Sequence, residues 1–127
     1  MKREVQSNMI DTHTYIPDNL IAGSQMPIVD DKGTILAGQN LKRGALLGRV
    51  DANGKLKLVD STASDGSQEV YAVLVEDTNS TDGDIETVVY LTGEFNEDAV
   101  SFSNSDTVEK HRKSARKVGI FLKPVMG

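Results

Sequence analysis

The sequence has no cysteine and no tryptophan, only three prolines, and an aromatic content of 5% over 127 residues. Without cysteine there is neither a disulfide framework nor a thiolate metal site. No apolar run reaches the roughly 18 residues that a membrane-crossing helix needs. Met1-Lys2-Arg3 is followed by polar residues and not by an apolar segment, so the expectation is a soluble protein without a signal peptide, made inside the cell. The length fits one domain, and a chain of this size buries about two-thirds of its unfolded surface, enough for a core without staples.

A further absence is local. Between Leu58 and Glu109 there are thirteen Asp and Glu residues and no Lys or Arg, although the net charge of the whole chain is only −5. The bases gather instead in residues 42–57 and 110–117. Separated charges can steer a partner, or a second copy of the chain, into one orientation, and they equally suit a solvated acidic surface. The acidic span would be repelled by phosphate, which argues against a general nucleic-acid binder.

What is present is β-forming. The stretch Glu86 to Phe95, ETVVYLTGEF, combines β-branched and aromatic residues with a stop at Gly93, and its consecutive Val88-Val89-Tyr90-Leu91 calls for cover on both faces. It is expected to be the interior strand on which the other segments pack. Tyr71 to Val75 reads as a second buried strand, antiparallel to the first across a polar loop from Glu76 to Asp84. Asn53-Gly54, between Leu46–Val50 and Lys55–Val59, predicts a hairpin with a type I′ turn. Asp30-Asp31-Lys32-Gly33 reads as a turn leading into Thr34-Ile35-Leu36, and glycines 33, 38, 44 and 48 suit short bent strands better than a helix. One helix is expected from Asp106, with Asp106 as cap, Glu109 completing a capping box, Lys113, Arg116 and Lys117 at the carboxyl end and Gly119 terminating it. Its narrow apolar stripe of Val108, Ala115 and Val118 places it on the surface, and Ile120-Phe121-Leu122 forms a last strand stopped by Pro124. Residues 1–19 form an extended arm ending in a turn at Pro17-Asp18-Asn19. Within it Ile10-Asp11-Thr12-His13-Thr14-Tyr15-Ile16 can add as a strand either to another sheet or to that of its own domain.

Catalytic patterns are weak. His13 and His111 have no Ser or Cys nucleophile in a recognisable setting and are expected to face solvent. The loop from Asp77 to Asp84 begins like a calcium loop, but Asp82 stands where glycine is needed and Val88 where a bidentate glutamate is needed. Glu94, Glu97 and Asp98 could tempt a general acid and base reading, but a solvated turn is their default reading. The basic helix lacks the interleaved aromatics of a nucleic-acid site. No cofactor is expected. The residues together describe a small, mostly β interaction or structural domain without catalytic machinery.

The ordered set TILAGQNLKRGALLGRV (residues 34–50), GKLKLVD (54–60), YAVLVEDT (71–78), VVYLTGEFNEDAV (88–100) and GIFLK (119–123) resembles the head decoration proteins of tailed phages, typified by those of lambda-like heads. The likeness covers roughly residues 20–123, and LKRGALLG and LTGEFN are its most specific parts. It implies a compact, mainly β domain of the β-clip or bent-ribbon kind, or a small barrel-like one, over residues 20–127, with one short C-terminal helix and the N-terminal arm over 1–19. It further implies a non-enzymatic homotrimer on local three-fold positions of the expanded head, made in the host cytoplasm and carried on the outer capsid surface. Its partners would be the major capsid protein and its own copies, with no direct contact to nucleic acid or membrane. The arm residues Ile10, Thr12, Thr14, Tyr15 and Ile16 would then pair with the capsid protein. A virion adaptor or host-ligand-binding β-module shares this composition, and a small metal-dependent hydrolase would require the acids near Glu94 to converge.

Overall fold

A computed structural model describes residues 19–124 of the chain. The elements in order are β1 (Ile21–Gly23), β2 (Val29–Ile35), β3 (Asn40–Leu41), β4 (Leu46–Arg49), β5 (Leu56–Leu58), β6 (Ala72–Leu74), β7 (Thr78–Asn79), β8 (Ile85–Asn96), α1 (Val108–Lys117) and β9 (Ile120–Lys123).

The long strand β8 organises the domain. Its first part pairs antiparallel with β2, from Ile35↔Ile85 to Val29↔Thr92, and with β6 through Val73↔Tyr90 and Leu74↔Val89. Its last part pairs with β1 through Ile21↔Phe95 and, in parallel, with β9 through Ile120↔Gly93 to Lys123↔Asn96. Following the pairings β8, β2, β5, β4, β6 and back to β8 closes a five-stranded barrel. Closure removes most of the exposed strand edges that an open sheet of this size would carry.

Alternation along the strands splits the core in two. Leu47, Ala72, Leu74 and Val89 join Ile35, Leu41, Ala45 and Leu56 in one cluster between the barrel strands. Their chain neighbours Leu46 and Val73 point the other way and join Leu20, Val59, Val70, Phe95, Ala115, Ile120 and Leu122 beneath the helix. The continuous apolar runs of β4 and β6 are therefore covered on both faces. Gly48 sits where the backbone of Ser67 passes close against β4, and a Cβ there would lie 2.5 Å from the Ser67 Cα.

The mainly β barrel with one short helix near its C-terminal end agrees with expectation, as do the Tyr71–Val75 strand and its antiparallel pairing. Three local readings are corrected. Residues 30–33 form no turn: they lie inside β2, where six consecutive register pairs with β8, Asp30↔Tyr90 to Ile35↔Ile85, override the turn preference of Asp and Gly. Gly93 does not stop the strand, because β9 and β1 extend the pairing of β8 to Asn96. The hairpin forms, with Leu47↔Leu58 and Arg49↔Leu56, but its turn is not type I′. Only Gly54 is left-handed, with φ 74°, and its N–H reaches the Val50 carbonyl at 2.8 Å, while the Asn53 Oδ1 accepts from Lys55 N–H at 2.9 Å.

Candidate functional site

The chain enters the domain through Leu20, which is 1% exposed and whose carbonyl accepts the Asn96 N–H at 2.8 Å. From there the segment is tied to β8 at several points. Glu94, itself buried, accepts the Met26 N–H at 2.6 Å and the Lys123 ammonium at 2.7 Å. Thr92 Oγ1 donates to the Pro27 carbonyl at 2.6 Å and accepts from the Val29 N–H at 3.2 Å. The Lys123 ammonium first, and then the Met26 N–H, holds the Glu94 carboxyl below its ordinary range. A Cβ at Gly23 would collide with that carboxylate, so glycine is what allows β1 to lie over it. The pinned stretch leaves large apolar side chains in solvent: Ile21, Ile28 at 45% and Val29 at 48% exposure. Met26 meanwhile approaches Gly119, beside the exposed Val118.

The helix is fastened to the same part of the barrel. Arg112 pairs with Glu97 at 2.9 Å and Glu109 at 2.8 Å and also donates to the Leu122 carbonyl. Glu109 and then Glu97 raise its pKa further above the usual value, so it stays charged. His111 and Ala115 face inward and are fully buried. His111 Nε2 meets Asp106 Oδ2 at 2.7 Å and its ring lies 5.7 Å from that of Phe102. Asp106 also accepts the N–H of Ser61 at 2.9 Å and its hydroxyl at 2.5 Å.

The pinned entry strand, the apolar side chains beside it and the braced helix thus lie together on one part of the closed barrel. The sequence profile for the bacteriophage lambda head decoration protein D family matches residues 9–120. The chain belongs to this head decoration family. No curated protein sequence matches it. Membership gives a phage capsid decoration role, a place on the virion capsid and binding to the phage capsid. A head decoration family is a structural one, which suggests a role without catalysis.

The residues expected to form a capsid-binding arm, Ile10, Thr12, Thr14, Tyr15 and Ile16, lie with His13 outside the described residues. The family match begins at residue 9 and so includes that segment. Several other sequence readings change. His111 is buried and not solvent-facing, because Asp106 supplies the polar partner that lets an imidazole enter the core. Asp106 is therefore not the cap: Thr107 occupies the N-cap position without a side-chain cap bond, and Glu109 pairs with Arg112. Val118 is 40% exposed and His111 takes its place on the inner face. Gly119 does close the helix, with φ 87° and its N–H on the Arg116 carbonyl at 3.2 Å.

The acids near β8 diverge. Glu94 is clamped by Lys123 rather than lying in a solvated turn, Glu97 pairs with Arg112, and Asp98 is exposed. In the loop that begins like a calcium loop, Asp77 accepts the Arg43 N–H at 2.8 Å, and Asp84 accepts the Ala37 N–H at 2.8 Å and pairs with Lys55 at 2.5 Å. Among the described residues no group of three or more His, Asp or Glu could hold a metal ion. Glu94 was missed as an anchor because its partners, Met26 and Lys123, lie 68 and 29 residues away and share no local pattern with it.

Proposed function

We propose that the protein cements the expanded icosahedral head as a homotrimer on local three-fold positions, with the N-terminal arm adding as a strand to the major capsid protein. The observation that carries this reading is the family match over residues 9–120, which spans the Ile10–Ile16 segment and the barrel together. The pinned entry at Leu20 supports it, since an arm can transmit load only if its root does not yield. Backbone pairing contributes only about 1 kcal/mol per hydrogen bond. Three arms on one rigid body act together, and effective concentration raises avidity by about 10² to 10⁴ over one arm. Weak contacts then hold neighbouring capsid subunits against the internal pressure of packaged DNA.

Deleting residues 1–19 tests this. The truncated chain is expected to stay folded and trimeric while failing to cosediment with expanded heads. Undiminished cosedimentation would defeat the arm mechanism.

A further inference from the structure

The outer face of α1 carries Lys110, Lys113, Arg116 and Lys117, all exposed and none in an ion pair or side-chain hydrogen bond among the described residues, whereas the helix's fifth cation, Arg112, is fully engaged. The start of β8 has the opposite character. There Lys55 and Lys42 are taken up by Asp84 and Asp77, which leaves Glu76, Asp82 and Glu86 exposed without a cation. Each pole also holds one uncovered aliphatic side chain among its charges, Val118 beside Lys117 and Ile85 beside Glu86, each 40% exposed. The two poles lie at opposite ends of β8: the helix packs on β9, which pairs with Gly93–Asn96, whereas the acidic pole surrounds Ile85 at the start of the same twelve-residue strand.

We infer that the basic helix face of one copy docks on the acidic pole of the next, Val118 against Ile85, so that the subunits join head to tail. The occupant is a second copy of this chain, and charge complementarity identifies it: unpaired bases line the helix face, and the unpaired charges around Ile85 are mainly acidic, with Lys32 of β2 the exposed exception nearby. A contact between two different patches is heterologous, and it closes into a ring of three when each step rotates by about 120°. Exposed ion pairs are individually worth little, so the charges set orientation and register while the aliphatic pair excludes water at the centre. This inference rests on the trimer reading above and names the face that builds it.

The test is sedimentation velocity on the full-length chain. Wild type is expected to be trimeric, with trimer dissociation strengthened about tenfold or more as salt rises from low to high ionic strength. The variant carrying Lys110→Glu, Lys113→Glu and Lys117→Glu is expected to be monomeric with an unchanged circular dichroism spectrum. Adding Glu76→Lys, Asp82→Lys and Glu86→Lys to the same chain should restore the trimer, which a merely damaged helix would not permit. A wild-type chain that is monomeric at all concentrations defeats the trimer reading itself. A salt-insensitive wild-type trimer, a triple Lys→Glu variant that remains trimeric, or a swapped variant that stays monomeric overturns the interface and leaves the trimer reading standing. The salt titration needs no variant and decides the question even if the substitutions impair folding.

Discussion

Both carboxylate oxygens of Asp106 are occupied, by Ser61 on one side and by Ser61 and His111 on the other. The Ser61 hydroxyl, followed by its backbone N–H, draws the Asp106 pKa down from 3.8 to about 2. A carboxyl with a depressed pKa in the folded state stabilises the fold fully above its unfolded value, and that contribution disappears as pH falls through the folded value. The window for Asp106 therefore runs from about pH 4 down to about 2. Asp106→Asn is expected to lower the thermal midpoint clearly at pH 6, and the gap to wild type should narrow steadily as pH is brought from 4 toward 2. A gap that stays constant across that window would show that the charge of Asp106 is not what the fold uses. The same residue explains how a histidine on a charged helix becomes buried: the seat for its Nε2 comes from outside the helix, and Ala115, one turn on, is small enough to let the helix approach the barrel.

At the scale of elements, the β4–β5 hairpin shows a dipeptide signal being right about the turn and wrong about its type. Gly54 alone carries a positive φ, and Asn53 serves through its side chain by accepting the Lys55 N–H. Gly54→Ala is accordingly expected to cost about 1 kcal/mol, whereas Asn53→Gly should destabilise slightly, the opposite of its effect in a turn that needs both residues left-handed. Urea unfolding midpoints at unchanged m-value measure both changes, and a stabilised Asn53→Gly would restore the type I′ turn. The strands β6 and β8 were legible because being covered on both faces leaves consecutive apolar residues. β2 was not, since Asp30, Asp31 and Lys32 are exposed and only register with β8, more than fifty residues later, makes them a strand. The two-residue strands β3 and β7 were invisible for the same reason: their pairing is set by contacts such as the Gln39 carbonyl with Ser80 N–H at 2.7 Å, across the barrel's loops. For the candidate site, the charge separation could be read from the chain, while the Glu94 clamp could not, because it is made of residues whose only relation is three-dimensional.

For the whole molecule, the proposed function turns on how far a rigid trimer would multiply a weak strand. The closed barrel fixes Leu20, and Glu94 and Thr92 fix the next nine residues, so arms leaving a trimer would start from set positions instead of searching freely. Preorganisation of that kind lowers the entropy lost on docking and leaves the intrinsic contact energy unchanged. A synthetic peptide of residues 1–19 contains all of the arm and none of the scaffold. On the proposed function it is expected to bind expanded heads about 10² to 10⁴ times more weakly than the full chain, the margin that three linked arms would supply. Competition of the peptide against labelled full-length protein on purified heads measures this ratio. Equal affinity would mean that one arm suffices and that the barrel contributes nothing to retention. A peptide that fails to compete at any concentration would place the attachment on the domain itself, where the exposed Ile28 and Val29 beside the pinned entry strand are the first residues to substitute.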